Sequence, residues 1–150
     1  MIRALTENDR ATWLELTGEF YSSPAVDHSI PEEFRNNCFN ALMSDSPYAD
    51  AVIIEQDGKI AGYALLAITF SQEAGGIAVW IEEAYIREEF RGKGLGHEIF
   101  NWVETKYPNA SRYRLEVEED NEKAIKLYSS LGYKRLNYGQ MIKDSCHFLH

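Results

Sequence analysis

The sequence predicts an α/β chain of the α+β kind: a mixed, mostly antiparallel central sheet of six to seven strands flanked by about four helices. Three observations predict it. Strand-like apolar runs at 51–55 and 60–70 are joined by Gln56-Asp57-Gly58-Lys59, a tight hairpin signal. A third run at 77–86 follows Gly75-Gly76 and extends the antiparallel set. Two later segments carry apolar residues at the 3.6-residue helical period: Leu95, Ile99, Phe100, Trp102 and Val103, then Ala124, Leu127, Tyr128 and Leu131.

In chain order, residues 2–5 read as a short first strand. Thr6 followed by Asp9 is a capping signal for a helix running to about Gly18, with Trp13, Leu14 and Leu16 facing inward. Residues 19–31 are irregular and carry Tyr21, Asp27 and His28, which suit either a binding wall or a capped loop. Pro31-Glu32-Glu33 opens a second helix, with Pro at the first position and acids in the first turn, reaching about Met43. After the hairpin strands comes the run at 77–86. Alternation puts Ile77, Val79, Ile81 and Tyr85 on one face and Ala78, Trp80, Ala84 and Ile86 on the other, so both faces are expected to be covered. A helix over 95–106, a strand over 113–118, a helix ending at Gly132 and strands at 133–136 and 141–148 complete the order. No repeat, linker or low-complexity segment intervenes, so residues 1–150 read as a single domain.

Fifteen basic residues against twenty-four acidic ones give a net charge of −9. That speaks against nucleic acid, whose binding rests on basic patches. It suits a small cationic substrate, since an acidic surface concentrates cations, or it serves only solubility. Cys38 and Cys146 form neither a disulfide framework nor a metal-ligand spacing, so no metal is expected. The first residues lack the apolar core of a signal peptide, and no stretch approaches membrane-spanning length. The expectation is a cytoplasmic protein that binds no membrane.

The run at 77–86 empties into Arg91-Gly92-Lys93-Gly94-Leu95-Gly96 and then a helix. A strand leading through glycines to a helix start gathers unpaired N–H groups and the positive end of the helix dipole, which together bind phosphate. The spacing fails the nucleotide P-loop, because Gly94 follows Lys93. It also fails the dinucleotide fingerprint, which needs a βαβ unit where antiparallel strands stand here.

What remains, Arg-x-x-Gly-x-Gly joining the fourth strand to the third helix, resembles the acetyl-coenzyme A signature of the GNAT family of N-acetyltransferases. The order of elements is similar along nearly the whole chain. A second block agrees: Asn121-Glu122-Lys123-Ala124-Ile125-Lys126-Leu127-Tyr128, continuing to Gly132-Tyr133, resembles the family's N-x-x-A-x-x-L-Y-x-x-x-G-F run. Glu88 departs from the proline many members carry. The resemblance implies a GNAT-like sheet, acetyl-CoA as cosubstrate, and pantetheine paired with the backbone of Ala84, Tyr85 and Ile86. It implies further cofactor contacts from residues 91–96, His97, Asn121, Lys123 and Ala124, where Asn121 would equally serve as an N-cap.

Tyr128 stands where the family's general acid does, and a phenol with pKa near ~10 suits protonation of a departing thiolate. A core tyrosine at helical spacing is the alternative. For the base, Glu82 and Glu83 are the candidates, on opposite faces of a strand that reads as buried. A buried carboxylate is costly unless it is used or paired, for example with Arg87. Glu82 is preferred, Glu83 or a water being the alternatives, and a local bulge would change which face each acid takes. Tyr21, Asp27, His28, Glu32 and Glu33 form the candidate acceptor wall, to which Tyr138 adds aromatic surface. The expected reaction is acetyl transfer to a small cationic amine of polyamine or aminoglycoside type. Acetylation of protein N-termini or lysines is the second reading, and a CoA-binding regulatory module without turnover the third. Aromatics in the last strands leave room for a homodimer.

Overall fold

A computed structural model describes residues 1–26 and 28–145. The chain divides into two compact units, Met1–Leu115 and a second that begins at Glu116. The first unit contains β1 (Ile2–Ala4), α1 (Arg10–Tyr21), α2 (Glu32–Met43), β2 (Ala49–Gln56), β3 (Lys59–Ser71), β4 (Gly76–Ile86), α3 (Leu95–Lys106) and β5 (Arg112–Leu115). The second contains α4 (Glu122–Ser130). The sheet order is β1-β2-β3-β4-β5, antiparallel except for the parallel β4–β5 pair. Among the described residues this is a mixed, mostly antiparallel sheet of five strands, with four helices.

Helices cover both faces of the sheet in the first unit, and β2 records it residue by residue. Ala51 and Ile53 pack with Trp13, Leu16 and Phe39 of α1 and α2, while Val52 and Ile54 pack with Leu95 and Ile99 of α3. Burying adjacent residues on opposite sides is the signature of a strand at the centre of a three-layer arrangement. The β2–β3 hairpin turns at Asp57 and Gly58, with φ of 51° and 74°. Both central residues are left-handed, as the twist of a two-residue hairpin requires. Gly62 allows close approach of β3 to β4, because a Cβ there would stand 2.0 Å from the carbonyl oxygen of Tyr85.

α1 runs past Gly18 to Tyr21. The Arg35 side chain of α2 lies across Gly18, donating to the Leu14 carbonyl at 2.6 Å and to Thr17 Oγ1 at 3.2 Å. At the other end, Asp9 accepts from the Thr6 amide at 2.8 Å, the reciprocal half of the expected capping signal.

Strict alternation along β4 fails. Leu65 pairs with Glu83 and Leu66 with Ile81, which leaves Glu82 as an extra residue in a bulge. Before the bulge, Ile77, Val79 and Ile81 share a face with Leu66 and Ile68. After it, Tyr85 stands opposite Tyr63 and packs into the α1/α2 cluster, while Ile86 packs against the α3 cluster. The expected grouping of Tyr85 with Ile77, Val79 and Ile81 is therefore wrong: one inserted residue exchanges the faces.

In the second unit, the Asn121 side chain accepts from the Ala124 amide at 3.1 Å and caps α4. Gly132, at φ 92°, follows its C-terminus. Residues 133–145 form no strand. The strand expected at 133–136 is thus absent, as is the described part of the one expected at 141–148. Alternating side chains do not make a strand without a partner to take up its backbone N–H and C=O groups. Residues 146–148 lie outside the described residues.

Candidate active site

Glu83 is the centre of a polar cluster on the α1/α2 face of the sheet. Tyr21, the last residue of α1, donates its hydroxyl to one Glu83 carboxylate oxygen at 2.5 Å. Tyr63 of β3 donates to the other at 2.6 Å. Each oxygen keeps acceptor capacity beyond these bonds. Glu83 is half-buried, whereas Glu82 at the bulge is exposed. The expectation of two buried carboxylates on opposite faces thus gives way to one held carboxylate with an acidic neighbour. Both act on the same groups. Burial first, then Glu83 and Glu82, push the Tyr21 phenol well above its ordinary range. Burial and the two carboxylates push the Cys38 thiol up to about 11, so it stays protonated. Tyr63 is pushed far up by burial and by Glu83.

Aromatic edges close around the carboxylate. Phe20 meets Tyr21, Tyr63 and Tyr85 edge-to-face at centroid distances of 5.1, 6.2 and 6.1 Å. Burial and Glu19 raise the Tyr85 phenol. Arg87, the expected structural partner for the paired acids, goes elsewhere: its Nε reaches Glu19 at 3.0 Å and its Nη2 reaches Glu15 at 2.5 Å. It ties the end of β4 to α1 and leaves Glu83 to the tyrosines.

Along the other edge of β4, β5 pairs only with residues 78–81. Residues 82–86 therefore carry backbone groups not paired to β5, suited to an added extended strand. The turn beyond has Gly92 and Gly94 at φ 75° and 81°, with no atom within 4 Å of a Cβ built at either. Gly94 is the N-cap of α3, so open space meets the amide-rich start of a helix. Arg91 Nε donates to the Ile86 carbonyl at 2.9 Å and fixes the turn to the strand. Lys93 lies 5.5 Å from the Phe90 ring. Arg91, Lys93 and His97 are all exposed, and Leu95 is buried. A phosphate-bearing group with an extended arm fits these residues.

Of the expected acceptor wall, Tyr21 alone is seen to join Glu83. His28, Glu32 and Glu33 are exposed, and Asp27 lies outside the described residues. In the second unit, burial raises the Tyr128 phenol, and its ring lies 6.3 Å from that of Tyr133. Lys123 is exposed and Ala124 half-buried on α4. Tyr63 was missed in the sequence, because it meets Tyr85 and Glu83 only after the register shift at Glu82. A separate cavity of about 430 Å³, lined by Leu42, Asp50, Lys106 and Tyr107 among others, includes none of the expected site residues. Among the described residues no group of acidic, histidine and cysteine side chains could hold a metal ion, and no helix is long and apolar enough to cross a membrane.

An open-edged strand, a glycine turn at a helix start and a tyrosine-held carboxylate are the parts from which a candidate group-transfer site can be assembled. Residues 10–133 match the acetyltransferase (GNAT) family, and the chain belongs to that family of enzymes. It is 32% identical over 116 residues to a putative ribosomal protein bS18-alanine N-acetyltransferase of Bacillus subtilis, covering 73% of each chain. It is 26% identical to the thialysine N-epsilon-acetyltransferase of Mus musculus, covering 90% of this chain and 84% of that one. The fold matches the crystal structure of a possible acetyltransferase from Clostridium difficile 630 with a TM-score of 0.81, at 20% identity and 98% coverage of both chains.

Proposed function

We propose that this N-acetyltransferase moves an acetyl group from acetyl-CoA to the primary amine of a small cationic molecule by direct attack. The Glu83 carboxylate, gripped by Tyr21 and Tyr63 on an aromatic face, is the observation that carries the reading. An ammonium is complementary to a half-buried carboxylate and to the faces of surrounding tyrosines.

Residues 84–86 would hold the pantetheine arm, and residues 91–97 the pyrophosphate, through backbone amides with added charge from Arg91 and Lys93. Asn121, Lys123 and Ala124 contribute at the start of α4. Bound acetyl-CoA supplies the thioester, whose acetyl carbon gains a C–N bond as its C–S bond breaks. Glu83 orients the amine. The Glu83–Glu82 pair accepts the proton the amine gives up, directly or through water. Tyr128 gives its proton to the thiolate and recovers one from solvent. Support for Tyr128 is the motif at 121–133 together with a pKa raised by burial, which keeps the phenol protonated.

The relatives named above are a putative ribosomal-protein alanine acetyltransferase and a thialysine acetyltransferase. The acidic cluster favours the small cationic amine over a protein terminus. A thiol-release assay over an amine panel tests this. Glu83→Gln is expected to lower kcat/KM by ~10²-fold and Glu82→Gln by much less. A larger loss in Glu82→Gln than in Glu83→Gln would return the leading role to Glu82, and reaction with peptides alone would replace the small-amine reading.

A further inference from the structure

We infer that the acceptor carries a carboxylate as well as its reactive amine, and that Arg114 stacked on Trp80 receives it. This rests on the proposed amine site at Glu83 and adds the other end of the substrate.

The register places the two ends on one face. Ala67 pairs with Trp80 and Leu65 with Glu83, while Leu65 and Ala67 pair without interruption to Ala51 and Ala49 of β2. Leu65 and Ala67 therefore point to the same side, the side of Tyr63, α1 and α2. Trp80 and Glu83 share that side because the bulge at Glu82 absorbs the odd residue. Measured along β3 they stand two residues apart, about 7 Å. Arg114 is next to Trp80 across the β4–β5 pair, and its Cζ lies 3.9 Å from the Trp80 ring centroid.

With its Cζ held over the Trp80 ring, the guanidinium presents N–H donors suited to a planar, two-point acceptor. In a chain with twenty-four acids, other arginines have found them. Arg3 holds Asp9 and Glu55, Arg87 holds Glu15 and Glu19, and Arg112, two residues away, reaches Glu73 at 3.5 Å. Among the described residues no carboxylate lies within ion-pair distance of Arg114, although it is half-buried. The neighbours on that face, Ala67, Thr69 and Ala78, have short side chains.

An arginine over the ring of Trp80, whose backbone position stands about 7 Å from that of Glu83, suits a short diamino acid, whose two charged ends are separated by about six bonds of ~1.5 Å along a zigzag. Such a molecule keeps a net positive charge, as the acidic surface favours.

The test uses matched pairs that differ only in the carboxylate: L-lysine against pentane-1,5-diamine, and L-ornithine against butane-1,4-diamine. The full-length enzyme is expected to prefer the amino acid of each pair by about tenfold in kcat/KM. Arg114→Gln should erase the preference through KM for the amino acid while leaving the diamine unchanged, which also shows that the variant is folded. Trp80→Leu should move it the same way. No preference in the wild type, or one that survives Arg114→Gln, overturns the inference; so does lysine amide reacting as well as lysine. If no amine releases thiol, the acetyl-transfer reading fails separately. Calorimetric titration of L-lysine and pentane-1,5-diamine into protein with CoA then decides: tighter lysine binding lost in Arg114→Gln upholds the carboxylate site, and equal binding removes it.

Discussion

Burial raises the Tyr128 phenol, so it holds its proton at a pH where many amines are already neutral. A raised pKa delays loss of the acid, so the high-pH fall in kcat due to this group should lie above ~10. Tyr128→Phe is expected to lower kcat by ~10²-fold and to remove that limb, since water must then protonate the thiolate. A pH–rate series to pH ~11 checks it, and a near-wild-type rate would end the acid role. The left-handed glycines at 92 and 94 and the Asn121 cap were readable because each sits in a motif whose spacing is local. Which of Glu82 and Glu83 the tyrosines hold was not. It depends on one inserted residue in β4 and on hydroxyls arriving from α1 and β3, neither of which leaves a mark on the residues around the acids.

The elements themselves were largely legible, because each is set by short-range pattern: the Asp57-Gly58 turn, the Pro31 helix start, the apolar stripe of α3. What alternation could not supply was a strand that changes faces. The bulge at Glu82 turns Glu83 and Tyr85 toward the helices that carry Tyr21 and Phe20, and the open edge at 82–86 begins there. Close contact of β3 with this part of β4 depends on Gly62. In Gly62→Ala the new methyl would meet the Tyr85 carbonyl at 2.0 Å, so the two backbones must part where both faces are packed. Overpacking of this kind costs about 3 kcal/mol, and the displaced β4 edge should cost acetyl-CoA binding as well. Urea melts and acetyl-CoA-dependent thermal shifts measure both; an unchanged melt with full cofactor response would show that the strands can separate freely.

Over the molecule as a whole, the first strand is held to the sheet and to the start of α1 by one charged knot. Arg3 donates to both oxygens of buried Asp9, at 2.8 and 2.9 Å, and to Glu55 of β2 at 2.7 Å. The Arg3 bonds hold the Asp9 carboxyl below its ordinary 3.8, at about 2, against the opposing cost of burial. A carboxyl depressed in the folded state adds stability that is complete above its unfolded pKa, and loses it as pH falls through the folded one. The window is therefore from about pH 4 down to about pH 2, and the contribution near neutrality is about 2 kcal/mol. Asp9→Asn keeps the size but offers one acceptor oxygen and no charge. It should lower unfolding stability by about that amount at pH 7 while the difference from wild type shrinks toward pH 2 and below, as the Asp9 carboxyl takes up its proton. Urea titrations at the two pH values read the difference directly. A deficit that stays constant across the window would mean that Asp9 contributes through helix capping at Thr6 and not through its charge.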